Sequence, residues 1–363
     1  MDQDTPPVMI TRAHELHTSP WIGVFHLTGG GAGLLAEVLS TPGASSTVLE
    51  ATVPYATSAL YELLGREPEQ ACSPTTARQL AMAAFERAQH LGEGTLFGFG
   101  CTASLATNRT KKGLHRAHWA VQTLTDTFAF SATYEGERAQ EETQLVEHIW
   151  QTLRHCLITQ DEPLDDDLME VHAHASPPLR PLLGGSPYRH STSADHSALL
   201  LPGSFNPLHL GHREMLSVAE QVLGVKGAFE LSVRNADKPS LDFLTINERL
   251  EGIEPHPVWL TNTPTFEEKA RLFPGATFAL GVDTLTRIGE LRFYQNHVDL
   301  LDEALQTFET HDSHFLVFGR QIGERFMTLE DLELPSALRR RCSGVPEARY
   351  RNDISSTAIR RQS

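Results

Sequence analysis

From residue 198 onward the chain alternates short apolar runs with amphipathic ones. Strand-like stretches at Ala198–Leu201, Phe229–Val233, Val258–Leu260, Thr277–Leu280 and Phe315–Phe318 are separated by helix-like stretches near 212–223, 246–254, 265–273 and 283–290. Alternation of this kind implies a parallel, doubly wound α/β sheet. Ligands of such sheets sit outside the carboxyl ends of the strands. The residues just after each apolar run are therefore where chemistry is expected.

Two of those places carry distinctive residues. After Ala198–Leu201 comes Gly203-Ser204-Phe205-Asn206-Pro207-Leu208-His209-Leu210-Gly211-His212, which puts two imidazoles on a strand-to-helix turn. The glycines at 203 and 211 allow close backbone approach, and the following helix offers unpaired N–H groups and a positive dipole end. Such a turn suits a polyphosphate. After Thr277–Leu280 comes Gly281-Val282-Asp283. About 140 residues beyond His212, Ile354-Ser355-Ser356-Thr357-Ala358-Ile359-Arg360 sets three hydroxyls at a helix start with an arginine one turn on, a second phosphate cradle. Seven arginines lie between Arg339 and Arg361 against only Glu347 and Asp353, so the most basic stretch of the chain flanks this turn.

Together these motifs resemble the nucleotidylyltransferase superfamily over residues 198 to 363. The Asn-Pro form of the first motif, Gly281-Val282-Asp283 and the complete Ile-Ser-Ser-Thr-x-Ile-Arg look most like nicotinamide or nicotinate mononucleotide adenylyltransferases. The resemblance implies a Rossmann-like domain that joins ATP to a pyridine mononucleotide, giving the dinucleotide and pyrophosphate in NAD biosynthesis. It implies catalytic roles for His209, His212 and Arg360. ATP would be held by Gly203, Ser204, Phe205, Asn206, Gly211, Asp283, Ser355, Ser356 and Thr357. The mononucleotide would meet Lys238, Arg249, Trp259 and Tyr294, with Phe293 as another stacking candidate and Arg320 as a further phosphate ligand. Mg²⁺ is expected to arrive with ATP, held by phosphate oxygens and water; no dedicated all-protein metal cage is visible. The rival readings are another nucleotidylyltransferase, such as a phosphopantetheine adenylyltransferase or a cytidylyltransferase acting on an alcohol phosphate, and a non-catalytic nucleotide-binding regulator.

The N-terminal region is also α/β in pattern. Trp21 to Leu27 reads as a strand, Thr28 to Gly33 as a glycine-rich turn and Leu34 to Leu39 as a helix. Ser73-Pro74 opens a helix that Gly92 ends, and Arg138 to Leu157 places Leu145, Ile149, Trp150, Leu153 and Leu157 on one helical face. Thr28-Gly29-Gly30, Pro42 to Ser46, Val53-Pro54-Tyr55 and Glu62-Leu63-Leu64-Gly65 resemble the CinA C-terminal-domain family, which includes nicotinamide mononucleotide deamidases. His26 stands where that family has its nucleophilic serine, Leu60 where it has a lysine, and Cys101 to Ala106 replaces a glycine-rich loop. Leucine cannot do the work of an ammonium group. The domain is expected to be catalytically degenerate, with Lys111-Lys112 as an exposed basic turn.

Between the two regions, Asp161 to Ser197 gathers Asp165 to Asp167, five prolines, two glycines, and His172, His174, His190 and His196, and reads as an acidic linker with ordinary exposed histidines. The expected organisation is thus 1–160, 161–197 and 198–363. A formal charge of −16 argues against nucleic acid and anionic membranes as partners. No apolar run approaches the ~20 residues that span a bilayer. Four scattered cysteines fit reduced, structural thiols, so a cytoplasmic protein is expected. Its partners would be small nucleotides, and a homo-oligomer is compatible with the sequence.

Overall fold

The computed structural model describes residues 11–108, 113–159, 163–192, 196–235, 238–352, 354 and 359. The chain divides into two compact units, Met1–Arg180 with Asp237–Leu244, and Pro181–Ala236 with Thr245–Ser363.

The first unit is built on strands β1 (Trp21–Thr28), β2 (Val48–Thr52), β3 (Thr95–Ser104), β4 (His115–Thr123), β5 (Asp126–Tyr134) and β6 (Met169–His174), in the order β2-β1-β3-β4-β5-β6. β1 is parallel to β2 and β3, and the rest is an antiparallel meander. Its helices are α1 (Arg12–Thr18), α2 (Ala32–Ser40), α3 (Thr57–Leu64), α4 (Pro74–Leu91) and α5 (Arg138–Leu157). Strand alternation divides β1 between two layers. Phe25 and Leu27 join Phe97, Phe99, Trp119 and the α5 face of Leu145, Ile149, Trp150 and Leu153 in the main core, where each large apolar side chain contributes roughly 1.5–3 kcal/mol. Val24 and its neighbour on the same face, His26, lie on the other side, where Val24 packs on Ala84 and Ala88 of α4. α4 starts as its sequence requires: Ser73 accepts from the Thr76 N–H at 3.1 Å and proline follows at once. A Cβ at Gly100 would stand 2.3 Å from the Ala81 nitrogen, so this helix can lie on β3 only because the position is glycine.

The stretch expected to be a linker is structured. Residues 169–174 form β6, paired with β5 from Ser131↔Met169 to Asp126↔His174, and Leu182 and Leu183 are buried. An edge strand needs a partner on one side only, so a polar sequence suffices. The Asp126 carboxylate also compensates the imidazoles of His172 and His174, each 2.8 Å from Oδ1, and His172 stacks on Phe128 with centroids 4.0 Å apart. The boundary between units thus falls at residue 180, and 237–244 is counted with the first unit.

The second unit holds β7 (Arg189–Ser191), β8 (Leu199–Gly203), β9 (Gly227–Ser232), β10 (Val258–Thr261), β11 (Thr277–Gly281), β12 (His314–Phe318), β13 (Arg320–Ile322), β14 (Arg325–Met327) and β15 (Cys342–Val345). Seven of them form a sheet in the order β15-β12-β11-β8-β9-β10-β7, parallel except for the edge strand β7; β13 and β14 form a separate hairpin. The helices α6 (Leu210–Leu223), α7 (Phe243–Ile253), α8 (Phe266–Leu272), α9 (Val282–Gly289), α10 (Val298–Thr310) and α11 (Ser336–Arg339) alternate with these strands. This is the doubly wound, Rossmann-like arrangement the alternation predicts. The chain runs outward from β8 through β9 to β10, then crosses back to β11 on the other side. The switch point lies between β8 and β11, which is where such sheets bind ligands. A buried ion pair, Lys269 to both Glu230 oxygens at 2.6 and 2.7 Å, ties α8 to β9.

Candidate active site

The β8 exit is shaped by a ring folded under it. Phe205 has φ +44° and is 2% exposed; its ring meets Phe229 edge-on at 5.0 Å and His212 at 5.3 Å. A Cβ at Gly203 would lie 2.6 Å from that ring, so the glycine makes room for it. Phe205 therefore supports His212 from beneath, a packing role that its expected backbone contact with a nucleotide does not describe. Ser204 is exposed, and the Asn206 side-chain oxygen accepts from Arg249 Nη1. One expected ATP ligand and one expected acceptor ligand are thereby brought together.

His209 precedes the first turn of α6 and His212 sits in it. The His209 backbone N–H donates to His212 Nδ1 at 3.3 Å, so Nδ1 is an acceptor and the His212 ring proton is on Nε2. The two rings stack with centroids 3.7 Å apart and planes 21° from parallel. Burial, then the neighbouring His209, pushes the His212 imidazole down to about 4. Burial and the Arg320 charge lower His209 as well. Both are neutral at pH 7, and His209 Nδ1 is buried with no hydrogen-bond partner among the described residues. A neutral, preorganised pair at a helix N-terminus can offer ring N–H donors to a polyanion.

The C-terminal segment reaches the same turn. Tyr350 packs edge-on against Phe318 and donates its hydroxyl to the Gly211 carbonyl at 3.0 Å. Asn352 donates to Glu214 at 2.6 Å and accepts from the Ile354 N–H at 3.0 Å. A Cβ at Gly211 would stand 3.0 Å from the Asn352 oxygen and 3.2 Å from the His209 ring, so two segments close over this glycine. Ser355, Ser356, Thr357 and Arg360, which follow directly in sequence, lie outside the described residues, as do Lys111 and Lys112. Tyr350, Asn352 and Glu214 had no motif to mark them. Their only sequence signal is their place beside the two motif segments.

Beyond β11, Asp283 folds back over Gly281, where a Cβ would come within 2.6 Å of its carboxylate, and pairs with Arg320 at 3.0 Å. Arg320 follows β12 and acts on His209 through its charge. The ends of β8, β11 and β12 thus gather His209, His212, Asp283 and Arg320 around the switch point, with Asn206 on the loop after β8 and Arg249 of α7 bonded to it.

Other expected ligands are placed elsewhere. Trp259 donates to the His196 carbonyl at 2.9 Å, meets Phe273 edge-on and carries the Arg189 guanidinium 5.1 Å above its ring, so it is a packing residue. Tyr294 donates to the Ile288 carbonyl at 3.0 Å and is half-buried against the core, its phenol pushed up to about 12 by burial. Lys238 is exposed and lies in the segment counted with the first unit. In that first unit His26 is 1% exposed, neither ring nitrogen has a hydrogen-bond partner among the described residues, and burial pushes it down to about 4. Leu60 is in a small apolar cluster with Leu64 and Leu80.

A switch-point turn with a stacked histidine pair, in a Rossmann-like sheet, defines a nucleotidyltransferase-like domain. Residues 200–362 match the family model described as cytidylyltransferase-like, so the C-terminal part is a domain of that kind. Solved structures similar to the chain include the competence/damage inducible protein CihA from Agrobacterium tumefaciens (19% identity, 42% of this chain and 97% of that chain, TM-score 0.33). CinA superfamily proteins from Enterobacter cloacae (16% identity, 42% and 96%, TM-score 0.32) and Escherichia coli (14% identity, 42% and 94%, TM-score 0.33) are similar to it as well. A comparison with curated proteins found no match. Among the described residues no helix is long and apolar enough to cross a membrane.

Proposed function

We propose that the second unit is an adenylyltransferase of NAD biosynthesis, in which a phosphate oxygen of nicotinamide or nicotinate mononucleotide attacks the α-phosphorus of Mg-ATP and pyrophosphate leaves. The observation that carries this reading is the neutral His209–His212 pair at the N-terminus of α6, beside the Arg320–Asp283 ion pair. The reaction needs no covalent intermediate, so the protein's contribution is positioning and charge stabilisation. His212 Nε2–H and His209 donate to the α-phosphoryl oxygens as their charge grows. Arg320 is the fixed cation beside them, and its pairing with Asp283 keeps that carboxylate from repelling the phosphates. Ser355, Ser356, Thr357 and Arg360 are assigned to the departing pyrophosphate. Arg249, oriented by Asn206, is assigned to the phosphate of the mononucleotide. In the first unit, where His26 is buried and Leu60 replaces a lysine, we infer that no deamidase activity persists.

A second reading is favoured by a specific observation. Trp259 and Tyr294 are committed to packing, which leaves only the exposed Phe293 of the three aromatics expected to stack on a pyridine. Another acceptor, phosphopantetheine or an alcohol phosphate, would need no such stack. Pyrophosphate release is the test, measured with Mg-ATP or Mg-CTP and each acceptor in turn, beside a His209→Ala/His212→Ala variant. Dinucleotide formed by the wild type and lost in the variant supports the pyridine reading. Turnover with another acceptor, or with CTP alone, replaces it; ATP binding without pyrophosphate release for any acceptor makes the domain a nucleotide-binding regulator.

A further inference from the structure

In the first unit one buried imidazole is aimed at two carboxylates that it does not reach. His148, on α5, is 9% exposed and stacks beside Trp119 with centroids 6.4 Å apart. Its Nδ1 is 3.2 Å from the hydroxyl of the buried Tyr134. Its Nε2 points at Asp165 and Asp167, at 3.9 and 3.8 Å from one oxygen of each, beyond hydrogen-bonding distance. One ligand atom from each of the three residues lies within 4.8 Å of the others. Nothing else among the described residues forms an ion pair with these two carboxylates, which stand in the run Asp165 to Asp167.

Both sides of the cluster are held from behind. One turn along the same helix face, Gln151 donates to the other oxygen of Asp165 at 3.2 Å and to the Pro163 carbonyl at 3.3 Å. The Leu168 N–H closes a turn onto the Asp165 carbonyl at 3.0 Å. Tyr134, whose phenol burial keeps protonated, orients the imidazole. A ligating histidine characteristically has its second nitrogen engaged in this way, and ligating carboxylates are themselves hydrogen-bonded.

We propose that His148 Nε2, Asp165 and Asp167 form a binding site for a divalent transition-metal ion of the zinc type. With zinc–nitrogen and zinc–oxygen bonds of about 2.1 Å, tetrahedral ligand atoms stand about 3.4 Å apart; the imidazole is 3.9 and 3.8 Å from the two carboxylates, and all three ligand atoms lie within 4.8 Å of one another. Exposed loop carboxylates make that adjustment at little cost. The imidazole selects against magnesium and calcium, which take oxygen ligands. In the bound state Nδ1 carries the ring proton and donates to the Tyr134 oxygen, while the solvent side leaves the fourth position to water. The ion would clip residues 163–168, which lead into the edge strand β6, onto the rigid α5.

The test is a zinc chloride titration of the full-length, tag-free protein by calorimetry, with metal content measured after dialysis, beside an Asp165→Asn/Asp167→Asn variant. Those side chains are 58% and 64% exposed, so the variant keeps its fold. One equivalent bound at micromolar affinity or tighter, weakened at least 30-fold in the variant, supports the site. Equal binding by both chains means an adventitious ion only, on other histidines, and overturns it. Wild-type binding no tighter than millimolar overturns it too. A His148→Gln chain, which keeps a hydrogen-bonding side chain beside Tyr134, must lose the cobalt(II) visible absorption of the wild type; retention of that absorption also refutes the assignment.

Discussion

His26 in the first unit and His212 in the second are both pushed down to about 4 by burial, and what surrounds them separates the two. His26 stands on an interior strand, opposite Thr52 in register, and among the described residues neither its ring nitrogens nor the Thr52 hydroxyl has a hydrogen-bond partner. His212 has one nitrogen engaged by the His209 backbone, a second ring stacked on it, and a helix N-terminus beneath both. A lowered imidazole pKa is thus no signature of function. The difference lies in whether the remaining nitrogen belongs to an array that can meet a ligand, as it does at His212 and, among the described residues, does not at His26.

The comparison breaks most readily at the histidine pair itself. Removing both donors from a phosphoryl-transfer site is expected to lower kcat by at least 10²–10³-fold, the order found for a single preorganised donor, with a much smaller change in KM. His26→Leu, by contrast, should leave turnover unchanged. A large fall in activity in His26→Leu, or a small one in the double variant, would invert the assignment of the two units.

Arg320 sharpens the same contrast. Its charge lowers His209, so Arg320→Ala should raise the His209 pKa, read by NMR titration of the ring, and reduce kcat/KM by roughly 10–100-fold through the lost phosphate contact. An unchanged His209 titration would show that Arg320 is not placed against the pair.

His26 yields an effect on stability instead. Its folded-state pKa, about 4, lies below its ordinary value of 6.5. Above pH 6.5 the ring is neutral in both states and contributes no pH dependence. As pH falls from 6.5 to 4 the unfolded chain binds a proton that the folded chain does not, so stability is lost across that window. At 1.36 kcal/mol for each tenfold, the loss approaches roughly 3 kcal/mol. The protection factors of the β1 amides, which correct for the intrinsic slowing of exchange in acid, should fall with falling pH in the wild type and not in His26→Leu.

Much of this was legible in advance, because alternation and punctuation are local signals. The strand at Thr277–Leu280, the helix from Ser73-Pro74 to Gly92 and the helix Arg138–Leu157 are observed within a residue or so of their expected limits. The switch-point turn was legible for the same reason. Long-range facts were not. Polarity alone marked 161–197 as a linker, since an edge strand buries little and β6 finds its compensation in Asp126, far away in sequence. Trp259 and Tyr294 looked like stacking platforms because an aromatic residue does not announce which face of a sheet will take it. Phe205 was read for its backbone, whereas its ring fills the space beneath His212. Lys238 stands beside the second unit's strands in sequence, yet its segment is counted with the first.

The smallest expected effect concerns how the C-terminal segment is held. Tyr350→Phe removes one hydroxyl, the donor to the Gly211 carbonyl at 3.0 Å, and leaves the ring on Phe318. Such a bond contributes about 1 kcal/mol, so the segment carrying Ser355, Ser356 and Thr357 should be released for a slightly larger fraction of the time. If those hydroxyls bind the pyrophosphate end, the KM for ATP rises by about 2–5-fold, kcat changes less, and the His209 and His212 titrations stay where they were. A variant that lost kcat as severely as the histidine double variant would mean that Tyr350 sets the geometry of the α6 N-terminus itself, because Gly211 lies between the two rings in sequence and its carbonyl would then be free to rotate the first turn.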